Sequence, residues 1–267
     1  MKSGFSVHTS YLILLKMMLT SLIIFAVAFG AVLILERTVH RSLQTVALLL
    51  AGHAEPAMLI YALPLAPGVA LHEGSHALMA VLMGVKVRHF SLWPKRGSGT
   101  IRLGYVEIIS TDAVRSSIIG AAPLIFGTLA LIAIGLYVFD ATALMQALSQ
   151  GQLEAFARRL LATFAAADAY LWFFLIFSIA NSMMPSPSDT QAWPPVIGFM
   201  VVVCAITFVL GGADLITFLT PSAQYVAHWL AVVFALTAFV DVVVIVALWL
   251  LKGLLERVSG RRVEMRG

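Results

Sequence analysis

Apolar residues in this chain neither alternate with polar ones nor recur as a single helical stripe. They come in runs of about twenty residues, the length that crosses a bilayer as a helix. Six such runs stand out: Tyr11 to Leu35 (interrupted only by Lys16), Ala57 to Gly84, Ala113 to Phe139, Ala165 to Met184, Pro195 to Phe218 and Tyr225 to Leu251. The first is too long for the ~7–15-residue core of a signal peptide and reads as a retained anchor. Ser42 to Gly52 is apolar but short, and it is expected to be an interfacial helix leading into the second span. Joined to Ala57–Leu63 as a separate span, it would raise the count to seven. Ala141 to Phe164 carries Glu154, Arg158 and Arg159 on a helical period and predicts an amphipathic helix at the membrane surface.

The segment between the second and third runs has a different rhythm. Val85–Trp93 and Thr100–Ile109 are rich in β-prone residues and flank the turn-forming Pro94–Gly99. They predict a β-hairpin at, or dipping into, the membrane interface. The expected fold is thus an all-α polytopic membrane protein of about six transmembrane helices, with a small membrane-associated β-hairpin between the second and third. Three regions follow: residues 1–56 with the first span and the interfacial helix, 57–194 with three spans and the hairpin, and 195–267 with two spans and a basic tail. No linker, internal repeat or separate soluble domain interrupts them.

Composition agrees with the pattern. Apolar residues make up 61% of the 267 and charged residues 11%, with a mean hydropathy of +0.97. Soluble domains carry about a quarter charged residues. The single cysteine, Cys204, lies in an apolar run and excludes a disulfide scaffold or a cysteine-rich metal site. The net charge of +4 does not point to nucleic acid. Its basic residues cluster in Lys86–Arg115, in the tail after Leu251 and around the start of the first span. With six spans these would face one side, the cytoplasm. The partners implied are the lipid bilayer and other membrane proteins, and the oligomeric state is not legible.

Where charge is this scarce, ionisable groups inside spans carry the information, because each costs ~2.5–3.5 kcal/mol at mid-helix on insertion scales. They are His72, Glu73 and His76 in the second span, Asp168 in the fourth, Asp214 in the fifth and Asp241 in the sixth, with Asp189 just past the fourth. Asp168 and Asp214 lie near span ends and read as interfacial. Asp241 sits mid-span, as a partner for another helix, a gate element or a weaker candidate ligand. His89, in the hairpin, reads as a surface residue.

Three of these residues form Leu71-His-Glu-Gly-Ser-His-Ala77. Histidines four apart share one helix face, so their imidazoles can converge on one ion, while Glu73 stands beside that face as a proton acceptor. From seven His among 267 residues and as many Glu, composition alone would place this motif about 0.005 times. Two imidazoles with an oxygen donor and an open position suit one catalytic Zn2+. The same helix offers no third ligand, so one must come from elsewhere. The best candidate is in Asn181-Ser-Met-Met-Pro-Ser-Pro-Ser-Asp189, where two prolines end an apolar run at the same membrane depth.

His-Glu-x-x-His in one span, followed by Asn-x-x-Pro-x-Pro-x-x-Asp at the end of a later one, resembles the site-2 protease family of intramembrane zinc metalloproteases. The resemblance covers about Pro64 to Pro194. It implies His72, His76 and Asp189 as metal ligands, Glu73 as general base, Asn181 as a polar group near the developing oxyanion, and transmembrane proteins as substrates. The chain departs from the family at Thr190, where glycine is usual, and at Ser188, where a bulky apolar residue is usual. In Gly120-Ala-Ala-Pro-Leu-Ile-Phe126 the middle-helix signature is also reduced. Two other classes fit the composition: a zinc-binding scaffold that retains partner helices without cutting them, and a transporter using intramembrane acids. Glu73 argues against the first, and the lack of repeated halves against the second.

Overall fold

A computed structural model describes residues 3–96, 101–165 and 167–261 of the chain. Helix α1 (Ser3–Ala51) is followed by α2 (Ala54–Ala62), a 3-10 turn over Leu63–Leu65, and α3 (Ala66–Leu82). Strands β1 (Val87–Ser91), β2 (Lys95–Arg96), β3 (Ile101–Arg102) and β4 (Tyr105–Ile108) come next. Then follow α4 (Ala113–Tyr137), α5 (Ala141–Ser149), α6 (Leu153–Ala165), α7 (Ala169–Ala180) and α8 (Trp193–Ser259). The bundle is inside out by soluble standards. Ser178 and Asp241 are 0% exposed and Asn181 2%, whereas Leu63, Trp249 and Val27 are more than two-thirds exposed. That distribution suits a helical protein in lipid, where polar groups must find partners inside.

Among the described residues three helices are long and apolar enough to cross a membrane: Ala54–Leu82, Ala113–Tyr137 and Val233–Ser259. The first is a rod of α2, the 3-10 turn and α3. Pro64 and Pro67 fall in first-turn positions, where the missing N–H would have no helical partner anyway. The rod stops at Gly84, whose φ of +70° lets Val85 N–H turn back onto the Ala80 carbonyl.

Several expected boundaries move. The short apolar stretch Ser42–Gly52 is no separate interfacial helix but the end of α1, since no Gly or Pro between Leu35 and Ala51 breaks it. The side chains of residues 3–22, where Lys16 and about half of the first expected span fall, lie outside those described. The expected surface helix is divided in two, α5 and α6, by a turn at Gly151. The expected fourth span shrinks to α7, 12 residues long and so about 18 Å. It meets α6 at a 96° bend, the geometry of a broken span or of a re-entrant loop.

The two C-terminal spans are arms of one helix, α8, which runs through Pro221. From Trp193 to Asp241 a straight helix would reach about 72 Å. Yet Asp241 hydrogen-bonds Asn181, which even a fully extended chain places within about 43 Å of Trp193. Helix α8 is therefore bent. In lipid a helix that bends around one lost hydrogen bond leaves fewer orphaned backbone groups than an open loop.

The strands form a hairpin in two pieces. β1 pairs antiparallel with β4, Phe90 opposite Val106, and β2 pairs with β3, Lys95 opposite Arg102. β1, β3 and β4 fall within the expected β segments, whereas β2 extends the pairing into the expected turn Pro94–Gly99; residues 97–100 lie outside those described. The hairpin runs back along α3, so that Arg96 and Ile101 share a cavity with Ala57 and Tyr61. At the far end of the rod, a Cβ on Gly52 would stand 2.9 Å from Arg261 Nη1. The tail thus begins at the Gly52 end of the rod, whereas Lys86, Arg88 and Arg115 flank the Leu82 end. The basic segments divide between two ends, unlike the one-sided arrangement that six spans implied.

Candidate metal centre

The middle of α3 carries His72, Glu73 and His76, and each ring nitrogen has a definable role. His72 Nδ1 lies 2.5 Å from the Ser182 carbonyl, and His76 Nδ1 lies 2.8 Å from the Ile119 carbonyl. A carbonyl only accepts, so both Nδ1 atoms carry a proton, and in the neutral imidazoles that a metal requires both Nε2 atoms present bare lone pairs. Those two Nε2 atoms face each other at 3.2 Å. Two acceptors at that distance repel unless a cation stands between them.

Asp189 completes the group. Its Oδ1 lies 3.4 Å from His76 Nε2 and its Oδ2 3.8 Å from His72 Nε2. Donors bound tetrahedrally at zinc distances stand about 3.3 Å apart. The two histidines and the aspartate fit a small divalent cation, and among the described residues they are the group able to hold one. Both rings donate Nδ1–H to protein carbonyls, the outer support that fixes ligand tautomer and orientation.

The aspartate is held by local chain geometry. Asn181 ends α7, and Pro185 and Pro187 keep residues 182–192 from continuing it. Within this turn Ser186 donates from both its backbone N–H (2.7 Å) and its hydroxyl (2.6 Å) to Asp189 Oδ2. The unusual Ser188 hydrogen-bonds the Ser186 hydroxyl at 2.7 Å, and the unusual Thr190 donates to the Ser186 carbonyl at 3.3 Å. Both side chains therefore brace the turn. From the other side, Gly120 of α4 touches the backbone of Asp189: a Cβ there would lie 2.1 Å from the Asp189 carbonyl oxygen. Gly68 of α3 is likewise pressed on Ser178 of α7, and its N–H donates to the Ser178 hydroxyl at 2.8 Å.

Glu73 is buried and does not belong to the ligand group. It lines the same cleft of about 490 Å³. The segment after β3 closes over it, and a Cβ on Gly104 would meet Glu73 Cγ at 2.8 Å. Asn181 also lines this cleft, but both its N–H groups are engaged, with the Phe177 carbonyl (3.0 Å) and Asp241 Oδ1 (2.6 Å). Asp241 is thus Asn181's partner, and it stands outside the ligand group. Asp168 is exposed and accepts from Trp172 Nε1 at 2.8 Å, and His89 is exposed on β1. The Asp214 side chain lies outside those described.

Sequence reasoning missed the opposite wall of the cleft, made by Glu36 and His40 of α1 and Tyr61 of α2. Its signal was present: Glu36 and His40, four apart, follow an apolar run directly in an unbroken helix, yet they fell just beyond the expected end of a span. No protein-family model, curated protein or solved structure matches the chain. What fold and site define on their own is a helical membrane protein with a candidate His-His-Asp metal centre opening on a cleft.

Proposed function

We propose that the chain is an intramembrane zinc endopeptidase that hydrolyses peptide bonds in or near the transmembrane segments of other membrane proteins. The observation that carries this reading is the pair of bare Nε2 atoms 3.2 Å apart beside Asp189, with a buried carboxylate, Glu73, in the same cleft but outside the ligand group. A centre kept only to hold metal has no use for that carboxylate. Two imidazoles, one carboxylate and an open position suit zinc better than the all-oxygen shells of magnesium or calcium.

His72, His76 and Asp189 would hold the ion. Bound zinc supplies the Lewis acidity that makes water nucleophilic near neutral pH and polarises a scissile carbonyl. Glu73 accepts the proton of the attacking water and returns it to the leaving amine. Asn181 can assist a developing oxyanion only by releasing one of its present acceptors. A transmembrane substrate must unwind locally to expose its carbonyls, and the strands beside the cleft offer an edge on which an extended segment can pair. His72 is about 15 Å along the helix from Leu82 and about 27 Å from Ala54. The site therefore lies in the half of the rod nearer the Leu82 end, which Lys86, Arg88 and Arg115 flank.

The test is cleavage of a single-span substrate co-reconstituted in liposomes. Wild type should cut it, and Glu73→Gln should keep the metal and lose about 10²–10⁴-fold in rate. Cleavage by Glu73→Gln at the wild-type rate would overturn the mechanism, and zinc binding with no cleavage by either protein would mark a zinc-holding scaffold.

A further inference from the structure

Behind the metal centre lies a second polar system, buried and spread over four helices. Tyr61 Oη of α2 is 2.7 Å from His40 Nδ1 of α1, and His40 Nε2 is 3.0 Å from the backbone carbonyl of Asn181. Because that carbonyl only accepts, His40 Nε2 carries the proton and Nδ1 accepts from the Tyr61 hydroxyl. The Asn181 side chain donates in turn to Asp241 Oδ1 of α8 at 2.6 Å. The carbonyl of the next residue, Ser182, accepts from His72 Nδ1. One short turn of chain is therefore gripped from behind by α1 and α8 and holds a metal ligand in front.

Packing alone does not explain this arrangement. Asp241 is fully buried, and its Oδ2 and the Asn181 Oδ1 have no protein partner. A buried carboxyl in a mid-span position normally marks function. What the chain gains is direction. Each link has a fixed donor and a fixed acceptor, and the last one sets the plane and tautomer of His72.

We propose that Asp241 and His40 are positioning residues for the metal centre, acting through the Asn181–Ser182 turn on the His72 imidazole. Helices α1 and α8, outside the stretch that carries the motifs, then belong to the site. This rests on the reading that the centre binds metal. Outer partners of a ligand typically contribute 10–100-fold to metal affinity.

The experiment uses the full chain in nanodiscs with Co2+ as the probe, read by its visible absorption and by competition with a chelator. Asp241→Ala and His40→Ala should weaken Co2+ binding roughly 10–100-fold and shift the visible bands. Asp241→Asn keeps an acceptor for Asn181 and should restore affinity to within about threefold. Tyr61→Phe removes only the hydroxyl that donates to His40 Nδ1, so it tests the chain without a packing defect, and it should shift the bands measurably. Wild-type affinity and spectrum in Asp241→Ala and Tyr61→Phe would overturn the proposal while leaving the metal centre standing, as would an Asp241→Asn no better than Asp241→Ala. Failure of the wild type to bind Co2+ would overturn both.

Discussion

Two polar clusters lie side by side in this bundle, and they obey opposite rules. In the Tyr61–His40–Asn181–Asp241 chain each donor meets an acceptor, so the cluster works as a strut. In the His72–His76–Asp189 group the two Nε2 atoms and the carboxylate converge on one point, so the cluster could hold a cation. Burial is similar in both. What separates a structural network from a metal site is the pattern of donors and acceptors, which follows from the carbonyls of Ser182 and Ile119.

The largest contrast comes from removing a ligand. His76→Ala should abolish stoichiometric metal, measured by elemental analysis of the purified protein, whereas Asp241→Asn should retain it. Equal metal content in wild type and His76→Ala would break the distinction. Next comes Gly120→Ala. Its methyl would stand 2.1 Å from a backbone oxygen that cannot rotate away, so the Asp189 turn must shift. Overpacking of this kind costs about 1–3 kcal/mol. Thermal stability and metal affinity should fall together, and loss of stability with full affinity would show that the turn tolerates displacement.

Gly104→Ala should act more gently. Its methyl meets the Glu73 side chain, which can move, so metal binding should persist while cleavage slows. A weaker metal affinity in this variant would contradict the separation of Glu73 from the ligands. The smallest effect belongs to Asp112 at the start of α4. The Arg115 backbone N–H donates to its Oδ1 at 3.0 Å and holds its carboxyl below the ordinary carboxylate range. A depressed folded value means the cap stabilises α4 fully above the ordinary carboxylate range, and this stabilisation is lost as pH falls from there through the depressed value. Asp112→Ala should speed amide exchange at Arg115 near neutral pH, leave the metal centre untouched, and remove that acid sensitivity.

The sequence was legible where chemistry is local. His72, Glu73 and His76 sit within five residues, so helical spacing alone brings them to one side. The proline-flanked Asp189 announced a helix end, and the two β-prone segments paired as their composition suggested. What spans several helices was not legible. His40 meets Tyr61 and Asn181 only through tertiary packing, and no spacing encodes that. The limits of apolar runs also misled, because the hydropathy that predicts two spans around Pro221 is equally that of one bent helix. For α7, twelve helical residues could not be told from twenty, since the apolar run continues past the turn at Asn181.

The most direct measurement of the central claim is zinc X-ray absorption on the purified full chain. One zinc per chain is expected, with two imidazole nitrogens at about 2.0–2.1 Å and only oxygen beside them, and loss of one imidazole from the shell in His72→Ala. A metal-free protein, or a sulfur ligand in the first shell, would contradict it.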